Sequence, residues 1–137
     1  MDGFGINWLA VVLAMVASMA LGAAWYMGLS RQWVAATGKS QGQIMAGSGG
    51  PVVPLLWGAA CQLVMAGFLA FLTPAVFGET SVYAAVRLGV MLWAGFIMTS
   101  MVLNHRYQGH TWSLAVIDGG YLLGVMIVQG VVIGVLG

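Results

Sequence analysis

The stretch VYAAVRLGVMLWAGFIMTSMVLNHRYQGHTWSLAVIDGGYLLGVMIVQGVVIGVL, residues 82–136, decides the fold. It reads as two apolar runs, 82–103 and 112–136, parted by a polar knot of Asn104, His105, Arg106, Tyr107, His110, Thr111 and Trp112. Each run reaches the roughly 20 residues that a helix needs to cross about 30 Å of hydrocarbon. A connection this short makes the two helices antiparallel neighbours. Outward from this stretch, 7–27 and 53–72 meet the same criterion. Residues 1–137 therefore read as a single all-α membrane domain of four transmembrane helices in an up-down-up-down bundle.

Composition agrees. The chain is 61% hydrophobic and carries four basic and three acidic side chains, where soluble domains are roughly 25% charged. Without a basic cluster there is no footprint for nucleic acid, which needs several convergent Lys or Arg. Cys61 stands alone, so no intrachain disulfide, CxxC motif or thiolate cage can form; it reads as a small buried residue of a helix. The first run lacks a basic leader and a cleavage site and is read as retained.

Punctuation places the connections. Pro51 and Pro54 sit in the first turn of the second span, and Pro74 follows its end. The long loop, 29–50, reads as a surface segment: Ser30 caps a short helix ending at Gly38, and Ser40 another ending at Gly47. Trp33, Ile44 and Met45 would then lie on the bilayer surface. Arg31, Lys39 and Arg106 fall on one side of the membrane, against Asp2, Glu79 and Arg87 on the other. That bias orients both termini outward in a bacterial inner membrane.

Each span carries its few polar groups in one stripe among small residues, as helix contacts in a bilayer require. The stripes are Asn7, Ala14, Ser18 and Trp25; Gly58, Gln62, Ala66, Leu69 and Thr73; Arg87, Ala94, Met98 and His105, for a regular helix; and Thr111, Asp118, Leu122, Val125 and Gln129. Gly120 with Gly124 and Gly130 with Gly134 are GxxxG pairs.

Two ionisable residues lie within spans. Asp118 is six residues into the fourth helix, about 9 Å deep at 1.5 Å per residue. Placing Asp there costs on the order of 2.5 to 3.5 kcal/mol, so it should face the interior and have a partner. Arg87 matches Gln129 in depth and either joins it or snorkels to the interface. Tyr26, Asn104, His105 and Asp118 are expected to converge at one rim, with Arg87 and Gln129 at the other. Two rim histidines and one carboxylate make a poor zinc set. Haem ligation, a retinal Schiff base and methionine-bound copper find no matching pattern, so no cofactor or metal is expected. Small multidrug exporters share the span count but need an acid in the first helix, which has none here.

The segments INWLAVVLAMVASMALGAAWY, residues 6–26, and RLGVMLWAGFIMTSMVLNHRYQGHTWSLAVIDGGYLL, residues 87–123, resemble the bacterial membrane family catalogued as domain of unknown function 1761. The likeness rests on Asn7 with Trp8, Gly22 to Tyr26, Gly95 with Phe96, Asn104, and Asp118 with Gly120 and Tyr121. It implies four spans and membrane residence and carries no activity.

Three functions follow as expectations. The first is a non-enzymatic component that self-associates or joins a larger membrane complex, because reactive side chains are few and small-residue faces many. The second is a small proton or solute permeation protein using Asp118. The third is a lipid-binding or lipid-modifying protein, for which Ser18 or Ser100 with His105 is the best nucleophile and base pair.

Overall fold

A computed structural model describes residues 5–137. Asp2, one of the residues behind the expected orientation, lies outside the described residues. Four helices are long and apolar enough to cross a membrane: α1 (Trp8–Gly28), α4 (Val52–Phe77), the span Val82–Gln108, and α7 (Trp112–Leu136). Between α1 and α4 lie two short helices, α2 (Ser30–Thr37) and α3 (Gln41–Ser48). No strand occurs among the described residues.

Local chemistry sets the ends. Asn7, Ser81 and Thr111 each accept the amide of the residue three further on, which satisfies one of the donors a helix start leaves open. Ser40 and Gln43 form a reciprocal capping box for α3. Gly78 and Gly109, at φ 73° and 72°, close α4 and the third span in the left-handed conformation that a side chain would strain.

Three boundaries differ from the sequence reading. Ser30 is the first residue of α2 rather than its cap, and α3 runs to Ser48 and ends at Gly49. Pro74 lies inside α4, which continues for another turn because Gly78 donates to the Pro74 carbonyl and closes it. The third span is not regular. Between α5 (Val82–Leu92) and α6 (Met98–Gln108), residues Trp93–Ile97 form a π-helical turn. Arg87 already faces outward before this turn, and the widened turn changes the azimuth of everything after it, so Arg87, Ala94, Met98 and His105 do not form one buried stripe.

α7 is the hub of the bundle, packed on α1, α4 and α5. Its contacts with α5 run in opposite chain directions: Gly134 lies against Val82, Gly130 against Val86, and the Met126 backbone against Gly89. The same holds for α1, where Leu21 meets Gly124 and Trp25 meets Gly120. Both GxxxG pairs of α7 are therefore consumed inside the bundle, where the missing side chains let backbones approach. The core gathers Val11, Ala14, Ala66, Leu69, Ala85, Leu88, Met126 and Ile133. Cys61, read as buried, is exposed on the outer surface of α4, because Gln62 and Ala66 take the inward positions of that turn.

Candidate functional site

Asp118 lies in the second turn of α7, beyond the Thr111 cap, and is partly buried. The last turn of α1 brings Tyr26 to it: the phenol donates to Asp118 Oδ1 at 2.5 Å. Trp33, on α2, donates its indole N–H to the same oxygen at 3.1 Å. Asp118 Oδ2 makes no hydrogen bond among the described residues.

Two further indoles bracket the carboxyl. Trp25 donates to the Ile117 carbonyl at 3.1 Å and Trp93, in the π turn, to the Gly119 carbonyl at 2.8 Å. Helix carbonyls have a second lone pair for such donors. Asp118 is thus positioned by a backbone that is pinned on both sides.

A buried polar seam continues from this point toward the middle of the bundle. The Tyr26 and Tyr121 rings meet edge to face at 5.1 Å. Gln62 Nε2 donates to the Tyr121 hydroxyl at 2.5 Å, and its Oε1 accepts from Ser18 Oγ at 2.6 Å. Gln129 Nε2 donates to Ser18 Oγ at 3.1 Å and to the Gln62 carbonyl at 3.0 Å. Ser18 and Gln129 are fully buried, at 0% exposure. Gln129 Oε1 has no hydrogen-bond partner among the described residues. The seam links α1, α4 and α7 by side-chain amides and hydroxyls, groups that donate and accept but do not titrate near neutrality.

The structure therefore brings together Tyr26 and Asp118 and adds Trp33, whose indole N–H joins the carboxyl. Asn104 is exposed, and His105 meets His110 edge to face at 5.1 Å, with no hydrogen bond to Asp118. At the other end Arg87 is exposed: it donates to the Tyr83 hydroxyl at 3.2 Å and lies 5.5 Å over the Phe77 ring. Gln129, though level with it, points into the core. Depth along the helix matched the pair; azimuth separated it.

Ser18, Gln62, Tyr121 and Trp33 belong to the site although they were not singled out for it. A signal existed for the first two, since each sits mid-span in a stripe of small residues. The serine and histidine pairing does not form. Ser18 is bonded within the seam, and Ser100 donates to the Phe96 carbonyl at 2.5 Å. No group of three or more His, Cys, Asp or Glu converges among the described residues. A concavity of about 620 Å³ lies elsewhere: an apolar groove between α1 and α4 lined by Trp8, Val11, Val12, Leu63 and Phe68 among others.

Over residues 9–134 the chain matches the family model described as "Protein of unknown function (DUF1761)". No curated protein and no solved structure matches it.

Proposed function

The chain belongs to the family of unknown function DUF1761, and from that premise we propose that it is a non-enzymatic component of the bacterial inner membrane that associates with itself or with a larger membrane complex. In this reading the four helices cross up-down-up-down with both termini outside. The observation that carries it is the seam. Ser18, Gln62, Tyr121 and Gln129 bind one another across three spans, so the interior polar groups fasten the bundle. A fastened interior leaves the outer, lipid-facing surface as the part available to partners. Crosslinking in native membranes followed by native electrophoresis should recover a dimer, a higher oligomer or a discrete complex. A strictly monomeric protein with no crosslinked partner overturns the proposal.

One observation favours a second reading. Among the described residues Asp118 keeps Oδ2 without a hydrogen bond while Oδ1 accepts two, which suits a carboxyl that exchanges a proton or binds a small solute during permeation. Proteoliposome flux that is abolished by Asp118→Asn supports this reading, and flux unchanged by the substitution, or no flux at all, removes it.

A further inference from the structure

The surface helix α2 is fastened to the bundle by few polar contacts. Among the described residues two hydrogen bonds tie it to the spans: Trp33 Nε1 to Asp118 Oδ1 at 3.1 Å, and Thr111 Oγ to the Ala36 carbonyl at 2.8 Å. The apolar contact beneath it is a small cluster of its own, in which buried Ala36 meets Leu114 and Ile117, with Trp25, Tyr26, Leu29 and Trp33 packed against them and the Trp33 ring edge to face with Tyr26 at 6.0 Å. This cluster is separate from the main core.

Asp118 Oδ1 thus takes one donor from a span, Tyr26, and one from the surface helix, Trp33. An ionised carboxyl accepts both in charge-assisted bonds, roughly twice as strong as neutral ones. A protonated carboxyl accepts more weakly and needs an acceptor for its own proton. A proton on Oδ2, which makes no hydrogen bond among the described residues, leaves Oδ1 a neutral carbonyl acceptor that holds both donors more weakly.

The groups around it do not offset the change. α1 contributes Tyr26, α2 contributes Trp33, and α7 contributes Tyr121, whose ring abuts Tyr26. The basic side chains of this rim are engaged elsewhere or turned out: Arg106 lies 3.8 Å over the Trp112 ring and donates to the His110 carbonyl, Arg31 is exposed, and the His105 ring meets His110 edge to face, its buried Nδ1 without a hydrogen-bond partner among the described residues.

We propose that Asp118 is a proton-operated latch: as a carboxylate it clamps α2 to the bundle through Trp33, and on protonation it lets α2 lift away and uncover Leu114 and Ile117. The latch goes beyond the assembly reading and does not depend on it.

The test uses the full chain in proteoliposomes, in a Cys61→Ala background, with a single thiol at Ala36→Cys, buried under the latch, or at Ala35→Cys, exposed on the same helix. The readout is the maleimide labelling rate at position 36 divided by that at 35, which cancels the pH dependence of the thiol. The ratio is expected to rise on acidification with the slope of a single proton. Asp118→Asn and Trp33→Phe should each raise it about tenfold or more at neutral pH and remove its pH dependence. A single cooperative unfolding transition shows that the bundle persists in both variants. A ratio that ignores pH and both substitutions overturns the latch, as does a pH response that survives Asp118→Asn.

Discussion

Gly130→Ala tests whether the GxxxG pairs of α7 hold the bundle itself together or join copies of it. A methyl at Gly130 would lie 2.9 Å from Val86 Cα and N and 3.0 Å from the Ala85 carbonyl carbon. At Gly134 it would lie 2.4 Å from Val82 Cα and N. These are backbone atoms of α5, so no rotamer relieves the overlap and α5 must move away from α7. Overpacking of this kind costs about 1–3 kcal/mol. Replacing a helical glycine by alanine returns roughly 0.5–1 kcal/mol. The net expectation for Gly130→Ala is a loss of about 1 kcal/mol, within a span of roughly 0–2.5 kcal/mol. Gly134→Ala overlaps more deeply but sits near the helix end, where the chain can shift, so Gly130 is the stricter site.

Gly67 in α4 is the control, because a methyl there meets nothing within 4 Å. Gly67→Ala should be stabilising by about 0.5–1 kcal/mol. The assay is denaturant unfolding in detergent micelles at two protein concentrations. A contact within one chain gives a loss independent of concentration, whereas a contact between chains makes the midpoint depend on it. Equal effects at Gly130 and Gly67, or a Gly130→Ala loss that scales with concentration, would refute the reasoning.

Three further outcomes are expected in the same unfolding assay. Gln129→Met removes two interhelical hydrogen bonds worth about 0.6 kcal/mol each on average, but also an unpaired buried carbonyl that costs about 1–3 kcal/mol; stability should hold or rise, and a loss beyond about 1 kcal/mol contradicts the unpaired Oε1. Gln62→Met, by contrast, takes partners from both Ser18 and Tyr121 and should lower stability by about 1–2 kcal/mol. Tyr26→Phe deletes one of the two donors to Asp118 Oδ1 and should cost about 1–2 kcal/mol, so an unchanged midpoint would mean that the phenol contributes nothing.

The four spans were legible because a bilayer imposes length and apolarity on any helix that crosses it. The stripes were legible for the same reason: Gln62, Ala66, Leu69 and Thr73 recur at helical spacing in α4 and are all buried. Asp118 was conspicuous through its cost, and Tyr26 could be placed near it by counting residues from the ends of neighbouring spans. Trp33 was not, since an indole at the membrane surface reads as an interfacial anchor until the path of α2 is known. The glycine pairs were visible as a motif but silent about their partner; α5 and α1, within the same chain, take that place.

Helix periodicity reports depth well and azimuth only while the helix stays regular. The turn at Trp93–Ile97 breaks that condition, and with it the expected stripe through Met98 and His105. Side-chain chemistry adds a second gap, because His105 meets the histidine beyond its own turn edge to face and no count of residues foretells that choice. The sequence by itself determined how many helices cross the membrane, which residues lie at which depth, and that Asp118 had to find a partner. Tertiary structure decided which groups meet: Tyr26 and Trp33 on one carboxylate oxygen, and Ser18, Gln62 and Gln129 in one seam. The physical reason is that depth follows from 1.5 Å of rise per residue, whereas a hydrogen bond 2.5–3.1 Å long depends on rotation and packing set by the whole bundle.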